Sequence, residues 1–282
     1  MRKDEALMQF ERVLKLRRLS PNTIKMYMYY VSLFLNSTNK ADVLDCDLND
    51  AQSFVAELID VHSYRPLSAN VAICAVNYFF DSVLNIFFSR RQFPFLKYPE
   101  FNPFLFSKDQ IVRLLDTGDV RLRLIILLGF DCGLRVSEVA SLRVADIDSK
   151  KMLIRIPCSK RGKSRNVKLS DACLTALRKY WLLYRPDYWM FPGRNADVHV
   201  TADTVRYWFN KYVSKFDFYT SEIHFHCLRH TFATCMLDNG CDIFLLKDLL
   251  GHSSLISTAR YVHLSTRAVQ QASSLSDAWG IQ

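Results

Sequence analysis

Residues 226–230 read His-Cys-Leu-Arg-His (HCLRH), and after Thr231 the chain runs into the apolar stretch FATCML at 232–237. The pattern predicts a helix over about 227 to 239 that enters a hydrophobic core, with the basic side chains of His226, Arg229 and His230 at its start. A helix N-terminus already carries partial positive charge and disfavours cations. An anion docked there resolves the conflict, because free backbone N–H groups and side-chain cations then face the same negative charge. The question is which anion.

Composition narrows the choice. Half of the 282 residues are hydrophobic and only 8 are Gly and 8 Pro, which predicts a compact, mostly helical chain with room for two domains. Lys and Arg outnumber Asp and Glu by 37 to 28, and the resulting charge of +9 favours a nucleic-acid partner. The eight cysteines form no CxxC pair, and several sit inside apolar helical patterns. That fits reduced core thiols and argues against a disulfide frame or a zinc site. His224 and His226 have no carboxylate or cysteine partner at ligand spacing, so no metal or other cofactor is expected. The N-terminal MRKDEALMQF lacks the apolar core of a signal peptide. The apolar run LIILLGF, 124–130, is too short to span a bilayer. The expected location is cytoplasmic, at the nucleoid, with no membrane partner.

The first ninety residues or so carry helical periods. DEALMQFERVLKL places Leu7, Phe10, Val13 and Leu14 on one face, and the next helix opens with Ser20 as N-cap and Pro21 at its first position. Further helices are predicted at about 48–60 and 67–89. The stretch RRQFPFLKYPEFNPF, 90–104, has three prolines and no helical period, so the domain boundary belongs there. The expected division is a helical domain over 1–92, a linker over 93–106 and a second domain over 107–282. In the second domain, Ser107 and Gln110 form a capping-box signature. KMLIRIPC (151–158) and RNVKL (165–169) alternate as strands around a glycine-containing turn and predict a β-hairpin. Helices return at about 170–184, 201–215 and 242–250, with Gly240 and Gly251 where left-handed caps belong. The fold class is therefore mainly α with a small β-hairpin, in two domains.

The basic residues cluster along the second domain. Arg135 opens a helix in GLRVSEVASL; Lys160, Arg161, Lys163 and Arg165 crowd the hairpin; His226, Arg229 and His230 follow. His252 comes after its glycine cap in LLGHSSL, and Tyr261 lies nine residues further on. Two arginines, two histidines, a lysine and a tyrosine suit attack on a phosphodiester. Arginine matches two phosphate oxygens with its planar fork and keeps its charge. Pre-placed cations stabilise the charge that gathers on pentacoordinate phosphorus. Tyrosine supplies a covalent nucleophile, and lysine or histidine can protonate the departing sugar oxygen.

GLRVSEVASL, the hairpin SKRGKSRNVKL, HCLRHTFAT and LLGHSSLISTARY, in that order, resemble the tyrosine recombinase (phage integrase) family. The resemblance covers 107–265 strongly and reaches, more weakly, into SPNTIKMYMYYVSLFL and LSANVAICAVNYFF. It implies a helical core-DNA-binding domain followed by a mixed α/β catalytic domain. Arg135 and Arg229 would grip the scissile phosphate of double-stranded DNA at a specific recombination site. His226 and His252 would hydrogen-bond its oxygens or help move the nucleophile's proton. Lys160 matches the hairpin lysine that acts as general acid for the 5′-oxygen, with Lys163 as a rival because the register is open. Tyr261 would be the nucleophile that forms a 3′-phosphotyrosyl link. Glu138 matches a supporting acidic position, and His230 matches the motif with a structural role. The anion of the opening question is then DNA phosphate.

The resemblance further implies a protein monomeric when free and a homotetramer on DNA, with accessory proteins in some systems. The tail after Tyr261 would pack into a neighbouring subunit. The pattern starts directly with the core-binding segment, so the arm-binding domain of larger phage integrases is not expected, nor the added segment of integron integrases; a Xer-like recombinase or a small mobile-element integrase or resolvase is. Two alternatives stand beside strand exchange: relaxation of the type IB topoisomerase kind, and DNA binding without cutting.

Overall fold

In a computed structural model, residues 1–99, 102–157 and 164–265 are described. The chain forms two compact units, Met1–Glu100 and Phe101–Gln282. The boundary falls inside the stretch expected as a linker. Phe93 is buried in the core of the first unit, and the Asn70 side chain clasps both backbone groups of Leu96 at 2.8 and 3.0 Å. From the other side, Phe106 is buried in the second unit and its N–H donates to Thr231 Oγ1 at 2.9 Å.

The first unit contains α1 (Lys3–Leu16), α2 (Pro21–Ser37), α3 (Leu48–Asp60) and α4 (Pro66–Phe79), the last running into a π-helical turn over Phe80–Leu84. Ser20 Oγ accepts from Thr23 N–H at 3.0 Å, and Pro21 stands at the first position, where no N–H is needed. On α1, Phe10 and Leu14 are buried as the sequence predicts, with Ala6 one turn before them, while Leu7 and Val13 flank the stripe half-buried. Phenyl rings fill the interior edge to face, with Phe10 to Phe79 at 5.4 Å and Phe34 to Phe54 at 5.7 Å between centroids.

Two sequence expectations change here. The fourth helix ends at Leu84 rather than near 89, because Asn85 turns left-handed at φ +56°. In addition, Pro66–Leu84 is a continuous 19-residue helix of mean hydropathy 1.4, long and apolar enough to cross a membrane by length and composition. In the sequence, Asn70, Asn77 and Asp81 interrupt its apolar run. Ala72, Ile73, Val76, Phe79 and Phe80 are buried in the core of the first unit, so here it is a core helix.

The second unit continues with α5 (Lys108–Leu115), α6 (Val120–Phe130) and α7 (Val136–Ala140). The strands β1 (Ile147–Asp148), β2 (Leu153–Ile156) and β3 (Arg165–Lys168) form an antiparallel sheet in that order. The predicted hairpin is β2–β3, with Ile154 opposite Val167 and Ile156 opposite Arg165. Strand β1 was not anticipated, since two residues are too few to show an alternation. Residues 158–163, which include Lys160 and Lys163, lie outside the described residues, as does the tail over 266–282.

Helices α8 (Asp171–Tyr184), α9 (Ala202–Val213), α10 (Phe225–Asp238), α11 (Ile243–Leu250) and α12 (Ile256–Ala259) follow among the described residues. Ser107 and Gln110 make the reciprocal cap of α5 predicted from sequence. Helix α10 starts two residues earlier than predicted, with His224 at its N-cap. It is buried on nearly all sides through Thr234, which places Arg229 inside the protein. Gly240 and Gly251 adopt φ +82° and +63° after α10 and α11, as their positions predict.

Candidate active site

The GLRVSE stretch builds the first part of the site by local geometry. Arg135 is the N-cap of α7, and Glu138, three residues on, reaches back to the Arg135 backbone N–H at 2.8 Å. The same carboxylate accepts from Arg135 Nη1 at 3.0 Å. One spacing thus fixes both the helix start and the guanidinium.

A second arginine arrives from the hairpin. Arg165 grips Glu138 with both terminal nitrogens at 2.8 Å each. From sequence, Arg165 is one of the hairpin cations and no site residue. The available signal was strand parity. Arg165 lies on the same face of β3 as the buried Val167, and an arginine on an inward face needs a counter-charge.

The third arginine, Arg229, is 2% exposed. Its Nη1 donates to Gly133 O at 2.6 Å and lies 4.0 Å from Glu138 Oε2. Gly133 sits at φ +61°, and a Cβ there would meet the Phe232 ring at 2.4 Å. The glycine of GLR therefore lets its own carbonyl reach Arg229.

The LLGH stretch ties these arginines together. At the end of α11, Leu249 O accepts from Arg165 Nε at 2.7 Å, Leu250 O from Arg229 Nη2 at 2.6 Å and Gly251 O from Arg135 Nη2 at 3.2 Å. These are carbonyls that a helix terminus leaves without an internal partner, and they carry the negative end of its dipole. A Cβ at Gly251 would lie 2.9 Å from Arg165 Nη1, so glycine here serves both the left-handed turn and the close approach. Three successive carbonyls thus hold three arginines in fixed positions.

Electrostatically the cluster is one-sided. Arg135, Arg165 and Arg229 contribute +3 against −1 from Glu138, a local excess of +2. Burial alone would push the Glu138 carboxyl up, but the hydrogen bonds and charge of Arg165, followed by those of Arg135, outweigh it and hold the pKa at about 2. Burial and the neighbouring Arg135 lower Arg229 to about 9, which leaves it cationic at neutral pH. The helix dipole offsets part of the excess, and an incoming anion would offset the rest.

The histidines occupy distinct positions around this charge. His252 Nε2 lies 3.2 Å from Arg229 Nη2, which can only donate, so Nε2 accepts and the ring is neutral. Its Nδ1 then carries the proton and donates to Thr258 Oγ1 at 2.9 Å. Burial and the Arg229 charge push His252 down to about 4, in agreement with that tautomer. His226 is likewise lowered to about 4, by burial and then by His224 and Arg229, and its contacts among the described residues are with the rings of His224, Phe225 and His230. His230 Nδ1 lies 2.8 Å from the Tyr261 hydroxyl. Tyr261 is 2% exposed and packs with Phe232, Ala233, Leu246 and Leu250. Its ring is nearly parallel to that of His252, 12° apart at 6.5 Å. Burial raises the Tyr261 pKa, with Arg229, Arg260 and Arg135 pulling in the other direction.

Of the residues singled out from sequence, Arg135, Glu138, Arg229, His230, His252 and Tyr261 are joined by these contacts, and His226 adjoins them through His230. Lys160 is not among the described residues. Arg165, Thr258 and the carbonyls of Gly133, Leu249, Leu250 and Gly251 are additional members that the motifs did not reveal.

Residues 105–267 match the phage integrase family, and residues 7–87 match the N-terminal SAM-like domain of phage integrases. The chain belongs to the phage integrase family. It is 31% identical over 278 residues to the tyrosine recombinase XerA of Pyrococcus furiosus, covering 96% of this chain and 93% of that one. Its fold matches the Tn1549 transposon integrase, solved with transposon right end DNA, at a TM-score of 0.76 and 14% identity over 98% of this chain and 97% of that one. Lambda integrase, solved as a tetramer on a Holliday junction, matches at 0.70 with 19% identity, over 89% and 77% of the two chains. The protein is thus a tyrosine recombinase, a DNA-breaking and rejoining enzyme of site-specific recombination.

Proposed function

We propose that this recombinase cuts one strand at its site in double-stranded DNA through Tyr261, forms a 3′-phosphotyrosyl intermediate and exchanges strands between two duplexes. The observation that carries the reading is the convergence of Arg135, Arg165 and Arg229 on one carboxylate, next to Tyr261 and with a net positive charge. Arg135 and Arg229 grip the scissile phosphate, and Arg165 and Glu138 hold them in place. His226 and His252 face the phosphate oxygens. When an anion arrives, it competes with His252 for Arg229 and favours a protonated His252 that donates to the same phosphate. Lys160, or Lys163 beside it, protonates the departing 5′-oxygen. The phosphotyrosyl ester keeps the energy of the broken bond, so religation needs no nucleotide, and the arginines supply the charge a metal would otherwise bring.

The helical unit over 1–92 grips core DNA, 93–106 links it to the catalytic unit, and the tail after Tyr261 joins neighbouring protomers. The protein acts as a homotetramer on two duplexes at the nucleoid, monomeric when free, with accessory proteins where the site demands them. The DNA-bound forms of the Tn1549 and lambda integrases support this assembly by analogy of fold.

A nicked suicide duplex carrying the recombination site, to be located by sequencing the DNA beside the gene for inverted repeats, tests the reading. The wild-type protein is expected to become covalently attached, and Tyr261→Phe to bind the duplex without forming an adduct, since it keeps the packed ring and loses the attacking oxygen. An adduct formed by Tyr261→Phe overturns the assignment. Strand exchange between two such duplexes separates recombination from relaxation of one.

A further inference from the structure

We infer that His230, rather than His226 or His252, takes the proton from Tyr261 as the tyrosine attacks. The inference rests on the reading of Tyr261 as nucleophile. His230 Nδ1 lies 2.8 Å from the hydroxyl, within the reach a general base needs before any rearrangement.

The other two histidines are placed for different work. Both ring nitrogens of His252 are engaged, Nε2 by Arg229 and Nδ1 by Thr258. His226 contacts His230 ring to ring at 6.5 Å and makes no hydrogen bond to Tyr261 among the described residues. It is left to face the phosphate.

The surroundings explain why the transfer waits for substrate. Burial first, then His226 and His224, then the cations Arg229 and Arg260, keep His230 neutral. A neutral imidazole accepts the hydroxyl's hydrogen bond without removing the proton, so the buried tyrosine stays protonated at rest. A bound phosphate neutralises the arginines, and the pentacoordinate phosphorus adds further negative charge. The charge of Arg229, one of the influences that suppress the base, is then offset, and the basicity of His230 rises as the attack proceeds. The bonds balance: Tyr261 Oη–H breaks as Oη–P forms, with the proton moving to Nδ1 of His230. P–O5′ breaks with its electron pair on O5′, which takes a proton from the hairpin lysine. Religation runs the same transfers backwards.

Two variants test this on the nicked suicide duplex, with single-turnover adduct formation as readout and duplex binding as the control for folding. His230→Asn places an amide oxygen near the position of Nδ1; it can accept the hydrogen bond but cannot hold the proton. His230→Ala leaves space for added imidazole. Both are expected to form adduct at least about 100-fold more slowly than wild type, the usual scale of a lost general base. Imidazole is expected to restore His230→Ala in part. Cleavage by His230→Asn at the wild-type rate overturns the proposal, because the hydrogen bond alone would then suffice. Failure of imidazole to accelerate a DNA-binding His230→Ala also overturns it. If His230→Ala does not bind the duplex, His230→Asn alone decides. An adduct from Tyr261→Phe in the same assay would mark failure of the nucleophile assignment instead of the base assignment.

Discussion

In the first unit the large buried side chains are Phe10, Phe34, Phe79 and Phe80, and no charged residue is fully buried among those described. In the second unit, Glu138, Asp146 and Arg229 are buried alongside Leu124, Phe209 and Phe225. The first core is held by shape and the removal of apolar surface from water, which depends little on direction. The catalytic core adds charges that are tolerable only while each keeps its partners, because an unpaired ion in a low-dielectric interior is costly. A change that preserves shape is therefore mild in one unit and severe in the other.

The sharpest way to break this comparison is Glu138→Gln. The side chain keeps its shape but removes the one negative charge shared by Arg135, Arg165 and Arg229. Loss of one partner from a buried ion cluster typically costs about 3–5 kcal/mol, and chemical denaturation of the second unit is expected to show a loss of that order. A stability within about 1 kcal/mol of wild type would mean that hydrogen bonds to the α11 carbonyls suffice to hold the arginines.

Arg229→Lys follows. A point ammonium cannot serve Gly133 O, Leu250 O and a phosphate at once. The expected loss is about 2–4 kcal/mol of transition-state stabilisation, read as a drop in cleavage rate with DNA binding largely kept. Near-normal cleavage would remove Arg229 from the phosphate grip.

Acid should separate the two units in a graded way. His226, His230 and His252 have folded pKa values near 4, 3 and 4, below the ordinary 6.5, so the unfolded chain binds more protons as pH falls. Their contribution is complete above about 6.5 and is lost progressively as pH drops toward 4 and 3. Glu138, held at about 2 against an ordinary 4.5, adds a further loss below about 4.5. None of the 4 tryptophans, at 181, 189, 208 and 279, lies within residues 1–100, so tryptophan fluorescence does not report the melting of the first unit. A melting temperature that stays flat between pH 7 and 4 would contradict the depressed values.

The smallest effect is expected from Leu35→Met in the first unit, where a buried apolar side chain exchanges for one of similar volume. Such swaps usually cost less than about 1.5 kcal/mol. A loss as large as that of Glu138→Gln would remove the contrast between the units.

Much of what depends on neighbours within a turn or two is legible in the sequence. Ser20 and Ser107 start their helices through backbone N–H groups three residues away, and Gly240 and Gly251 end theirs in the left-handed region. The hairpin's alternation is of the same kind. Motif order also marked Arg229, His252 and Tyr261 as partners before any contact was visible. Only the tertiary structure decided what those residues touch. Arg165 meets Glu138 across 27 positions, Arg229 meets Gly133 across 96 and Arg135 meets Gly251 across 116. His230, expected to be structural, meets the Tyr261 hydroxyl across 31. These contacts depend on how α6, α7, α10, α11 and the sheet pack together, and local periodicity specifies which face of an element is buried without specifying what it is buried against.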